Sequence, residues 1–149
     1  DIKDSISDGL DIDFSQITID KAVIVNSKND CADFSMGKYD INEIKTEFCG
    51  DKSISVGENS KFVANRVYSK FSNIGLATKD SSYSAVNFID IYKTKYCIAA
   101  YNKKQEFTGG KIEINEINCS NYSEETFLDN ASIYEAKNKN LNTLTEKND

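Results

Sequence analysis

The sequence predicts an α+β domain, an antiparallel sheet with two or three short helices packed on it and disulfides stabilising it. A small OB-like β-barrel carrying one helix is the alternative. Three observations lead there. Residues 84–92 and 95–101 are dense in β-branched and aromatic side chains, as central strands are. Val63, Val67 and Phe71 recur at i, i+4 and i+8, the spacing of one helical face. Cys31, Cys49, Cys97 and Cys119 fall as two separated pairs.

Taken in order, the first element is a strand in which Leu10, Ile12 and Phe14 alternate with Asp11 and Asp13. Ile17, Ile19, Val23 and Val25 continue on the opposite parity, which requires a bulge or tight turn near Ser15–Gln16. A short helix is expected next. Asp40 and Glu43 have capping-box spacing, Ile41, Ile44 and Phe48 share a face, and Gly50 ends it. A second helix starts at Asn59 or Ser60 and ends at Gly75. The two central strands follow, and Gly109-Gly110 suits the positive φ angles of a hairpin turn before the strand of Ile112 and Ile114. A last helix is expected from Ser123, with Glu124 and Glu125 in its first turn and Phe127, Ala131 and Tyr134 as its stripe. Residues 1–137 are read as a single domain and 138–149 as a polar, frayed tail. No internal repeat emerges from the sequence.

Sequential pairing, Cys31 with Cys49 and Cys97 with Cys119, closes two loops of about 20 residues, each worth roughly 3 kcal/mol in the chain-entropy model. Four cysteines permit other pairings, and four buried thiols in a reducing compartment are the alternative. The spacing lacks the close pairs of a zinc site. An exported protein, secreted, cell-surface or periplasmic, is the expected setting.

The 149 residues carry no histidine, proline or tryptophan, and the formal net charge is −6. Without histidine there is no Ser-His-Asp triad, no Cys-His pair and no imidazole switch. The acidic balance disfavours nucleic acid as partner. Arg66 is the only arginine beside 24 acidic residues, so bidentate recognition of phosphate has little to work with. The abundance of Ile over Leu and of Lys over Arg reads as coding bias. No stretch is apolar over the length of a membrane helix.

The search for chemistry returns no catalytic residue, no metal site and no cofactor. Asp11 and Asp13 project the same way from one strand about 7 Å apart, a spacing near that of glycosidase carboxylates. Alternating acids are also the ordinary solvent face of a strand. Asp8, Asp11 and Asp13 offer oxygens to calcium, but without EF-hand spacing. Glu135-Ala136-Lys137 has the E-x-K form of some nucleases on an unsuitable predicted helix, and Gly109-Gly110 lacks a phosphate-loop context. Asn118, Asn121 and Asn130 begin N-x-S triplets. Tyr83, Tyr92, Tyr96 and Tyr101 are the binding candidates, because tyrosine combines rigid contact area with a polar tip.

The functional expectation is a non-catalytic exported binding domain, a surface, adhesive or host-interaction (virulence) factor recognising a protein or glycan. The alternatives are a secreted or periplasmic inhibitor or immunity protein for a basic enzyme, and a carboxylate-dependent hydrolase using Asp11 or Asp13.

Overall fold

The computed structural model describes residues 1–143. Their regular elements are strands: β1 (Ile2–Ser5), β2 (Leu10–Asp13), β3 (Gln16–Ser27), β4 (Ala32–Ser35), β5 (Lys38–Cys49), β6 (Lys52–Gly57), β7 (Lys61–Lys79), β8 (Tyr83–Tyr101), β9 (Lys111–Leu128) and β10 (Ile133–Thr143). All their pairings are parallel. A parallel pair needs a long return path, and here the return is the remainder of one turn. The chain is a β-solenoid. Gln16 lies beside Lys38, Lys38 beside Lys61, Lys61 beside Tyr83 and Tyr83 beside Lys111.

The expected α+β domain and the OB-like barrel are both incorrect, and the source of the error is visible at the corners of each turn. Inward side chains follow the strand period of two, then step by three where the chain bends. Phe62 and Ala64 point in, and after the bend Val67 and Ser69 do so. Ile41 and Ile44 straddle the equivalent corner in β5, as Ile114 and Ile117 do in β9. A step of three inside an apolar run imitates helical spacing. The segments expected to be helical, 40–50, 59–75 and the one from Ser123, are therefore strand in β5, β7 and β9, with β10 following.

The repeat missed in the sequence is 22 residues in its commonest form, as between Gln16 and Lys38. Spacings drift by one at Lys61, and residues 102–110 add an excursion between β8 and β9. Side-chain chemistry along each stack is conserved only as apolar or polar, which blurs self-similarity. Gly109-Gly110 makes no hairpin, because neither glycine has positive φ. Gly110 instead lets the chain approach its neighbouring turn: a Cβ there would lie 2.0 Å from the Thr78 carbonyl oxygen. The expected break near Ser15–Gln16 is present between β2 and β3, where Phe14 has φ 53°. Strand β10 runs in register with β9 as far as Asn142, beyond residue 137, and the register shifts at Thr143. The rest of the expected tail, 144–149, lies outside the described residues.

The core is a set of aligned stacks. Ile19, Ile41, Ala64, Val86 and Ile114 occupy one ladder position, and Ala22, Ile44, Val67, Ile89 and Ile117 another. Isoleucine suits such positions because its branched Cβ fits the pleated wall and packs on its neighbours above and below. Its abundance thus has a structural use beyond coding bias. Both disulfides form as expected, Cys31–Cys49 and Cys97–Cys119, each joining one turn to the next.

One wall is buried on both sides, as parallel strands often are. Leu76 and Ile98 face inward, while Ala77 and Ala99 face outward against Ile74, Tyr96 and Tyr101. Asparagines stack along an outer edge in a different ladder. Asn65 Nδ2 donates to Asn42 Oδ1 at 3.2 Å, Asn87 to Asn65 at 3.1 Å and Asn115 to Asn87 at 3.0 Å.

Candidate binding surfaces

Each turn changes direction after its second wall through a residue with left-handed backbone. Asp4, Asn26, Phe48, Phe71, Lys93 and Asn121 hold this place in successive turns, all with φ between 54° and 63°. Asn and Asp tolerate that region, whereas a bulky side chain there is an outlier costing about 1–2 kcal/mol. Phe48 and Phe71 are such outliers, and they are neighbours. Their rings stack 4.7 Å apart at 9°. Tyr92 meets Phe71 edge-on at 5.7 Å, and Lys93 Nζ lies 5.8 Å from the centre of the Phe71 ring.

This aromatic edge faces water: Phe48 is 51% exposed and Tyr92 39%. It borders an open groove of about 560 Å³ lined by Phe71, Ser72, Asn73, Lys93, Lys95 and Asn121 among others. None of the described residues lining that groove is acidic. In a chain of net charge −6, this is a local patch of cations, hydroxyls and amides beside flat apolar rings. Phe14 and Met36, with φ 53° and 48°, hold strained places at a second corner. Phe14 is exposed but, among the described residues, stacks on no aromatic ring.

The four tyrosines singled out in the sequence do not form one patch. Tyr92 belongs to the aromatic edge. Tyr96 and Tyr101 converge on Phe127, each at 5.7 Å, on the doubly buried wall. Burial there raises the Tyr101 phenol above its ordinary pKa. Tyr83 stands on another wall, where its hydroxyl donates to Glu113 Oε2 at 2.7 Å and so also titrates higher than usual. Phe48 and Phe71 escaped notice in the sequence because both were assigned to helical faces. The signal that exposes them is an apolar residue at the 22-residue corner position otherwise held by Asp, Asn or Lys.

A second surface lies near the chain start. Ladder pairing sets Asp11 of β2 beside Asp33 of β4, and Asp8, Asp11 and Asp33 bring carboxylate oxygens within 4.8 Å of one another. This trio replaces the Asp8, Asp11 and Asp13 set read from the sequence. Burial pushes the Asp33 pKa up to about 6 against the pull of Lys79, and Asp30, Asp8 and Asp11 add to the rise. One Asp33 oxygen, Oδ1, is buried without a hydrogen-bond partner. Asp11 is also raised, by burial first and then by Asp13 and Asp8. Crowded carboxylates of this kind favour a proton or a hard cation.

No protein-family model matches the chain, and no curated protein or solved structure is similar to it. Among the described residues, no helix is long and apolar enough to cross a membrane.

Proposed function

We propose that the chain is a non-catalytic, exported binding module that holds an acidic glycan on its aromatic edge. The observation that carries this reading is the stacked, solvent-facing Phe48–Phe71 pair at backbone positions that phenylalanine disfavours. Folding alone gives no reason for two such residues, since Asn at either place would relieve strain and remove apolar surface from water. Strain concentrated at an exposed site points to use by a ligand.

Flat rings present a face to the C–H side of a sugar, and the fringe of Ser72, Asn73 and Asn121 suits hydroxyl groups. Lys93 and Lys95 supply the charge that a uronate or sulfate group would meet. Phe48 and Phe71 sit on adjacent turns about 4.8 Å apart, and with Tyr92 and Lys93 on the next turn they form an edge long enough to meet more than one sugar unit. Two disulfides support an oxidising location.

The test is calorimetric titration with a polyuronate, a sulfated polysaccharide and a neutral glucan. The acidic polymers should bind, with affinity falling as salt is added, and F48A/F71A should weaken binding at least tenfold while leaving the far-ultraviolet spectrum unchanged. Failure of both acidic polymers to bind, or equal binding by the double variant, would overturn the reading. The rival reading, an inhibitor or immunity protein for a basic enzyme, draws on the crowded Asp8, Asp11 and Asp33. It predicts a protein partner whose association is lost on D11N/D33N and unaffected by F48A/F71A.

A further inference from the structure

Strand β10 breaks the pattern of the core at one residue. Ala22, Ile44, Val67, Ile89 and Ile117 hold a single ladder position in successive turns, and the next residue on that ladder is Lys139. Its pairing with Ile117 lies inside the in-register run of β10, so the lysine takes an inward place. Around it, Tyr134, Ala136 and Leu141 pack against the core as the pattern requires.

The ammonium does not stand alone. Lys139 Nζ lies 2.7 Å from Glu125 Oε2 and 5.0 Å from the centre of the Tyr134 ring. The Tyr134 hydroxyl donates to the same Glu125 oxygen at 3.4 Å. These residues come from three sides of the stack. Tyr134 is level with Ile112 before the bend, Lys139 with Ile117 after it, and Glu125 follows the left-handed corner at Asn121. Together they lay a charged bridge across the carboxyl-terminal end of the apolar core. The ion pair still reaches water, because the Lys139 side chain is 39% exposed and that of Glu125 27%.

The amino-terminal end is different. Ile17, Ile19 and Ala22 hold the ladder positions of Tyr134, Ala136 and Lys139, and all three are half-buried. Among the described residues, no strand pairs with the far side of Gln16–Val23, because β1 meets β3 only from Ile24 onward. One copy moved along the axis would set its Gln16–Val23 beside Ile133–Asn140 of another, with the strands parallel. Unpaired edges of this kind are templates for further strands, and an inward-pointing charge is one way proteins blunt them.

We infer that Lys139, held by Glu125 and Tyr134, is a stop that prevents a second copy of this chain from stacking its amino-terminal edge on β10. Stacking would enclose the ammonium between two turns, where a charge loses its water and is costly even when paired. Without the stop the contact is head-to-tail and does not close, so it runs on into filaments rather than ending at a dimer. The stop lies at the end of the stack and is independent of the glycan reading at its side.

The test measures mass by light scattering over a range of concentrations, with circular dichroism to show that each variant keeps its strands. The parent chain should remain a monomer throughout, and so should K139R, which keeps the charge. K139I restores the apolar ladder and should form species larger than a dimer as concentration rises. A22K/K139I puts a lysine on the opposite edge at the same ladder position and should return to a monomer. K139M, similar in length but uncharged, gives the same readout should K139I lose its strands. A folded K139I or K139M that stays monomeric, or a parent or K139R that assembles, would overturn the inference. Assembly of A22K/K139I equal to that of K139I would do so as well, since the contact would then lie elsewhere.

Discussion

Replacing Asp33 by asparagine should stabilise the protein at neutral pH and have no effect in acid. The carboxyl titrates near 6 in the folded chain, against 3.8 ordinarily. The folded state therefore holds the proton more tightly than the unfolded state does. Its stabilising contribution is complete below about pH 4, falls between 4 and 6, and is gone above 6, where the native state carries an unwelcome charge. That displacement corresponds to roughly 3 kcal/mol. Asp33 is only half-buried, and its neighbour Lys79 loses a favourable charge on substitution. Screening and that loss reduce the expected gain to about 1–1.5 kcal/mol. Urea denaturation followed by far-ultraviolet circular dichroism, in chelator at pH 4 and pH 7.5, measures the difference. D33N should have a higher midpoint at pH 7.5 and match the parent at pH 4. Equal or lower stability of D33N at pH 7.5 would show that the crowded carboxylates do not burden the fold.

Three further outcomes follow from the same physics. Ile89 is fully buried within a continuous stack, so Ile89→Ala should cost about 2–5 kcal/mol in a chemical denaturation curve. Removing the Cys97–Cys119 bridge by C97A/C119A should cost about 3 kcal/mol for its one-turn loop, read as a lower thermal midpoint than the oxidised parent. Phe71→Asn should move stability the other way, raising it by a few tenths to 1 kcal/mol through relief of left-handed strain. The same change should weaken acidic-glycan binding, so stability and affinity would be measured to diverge.

What could be read from the sequence depended on how local the cause was. The central runs 84–92 and 95–101 are strand because their own composition favours it, and the break near Ser15 shows as a switch in parity. Loop length favours the sequential cysteine pairing without excluding the others, and the structure has that pairing. The error at β5 and β7 has a single origin. At Ile41–Ile44 and Ala64–Val67 the three-residue step at a corner has the same local signature as a helix turn. Only comparison with the equivalent step one turn away separates the two. Among the proposed site residues, Tyr92 was visible as a tyrosine beside a strand. Phe48 and Phe71 were hidden because their exposure depends on a ladder position that no short window reveals. Asp33 joined Asp11 for a similar reason, being a neighbour across turns.

A stack whose turns touch only their neighbours comes apart from its ends inward. The two covalent ties sit where that process would otherwise reach the middle. Peeling from the amino end can release the chain up to Cys31, and peeling from the carboxyl end can release it back to Cys119. Phe48, Phe71 and Tyr92 all lie between those limits. The consequence is mechanical. Load applied at either terminus crosses each bridge without extending the loop it closes, so residues 32–48 and 98–118 add no length to the pulled chain until the disulfide is reduced.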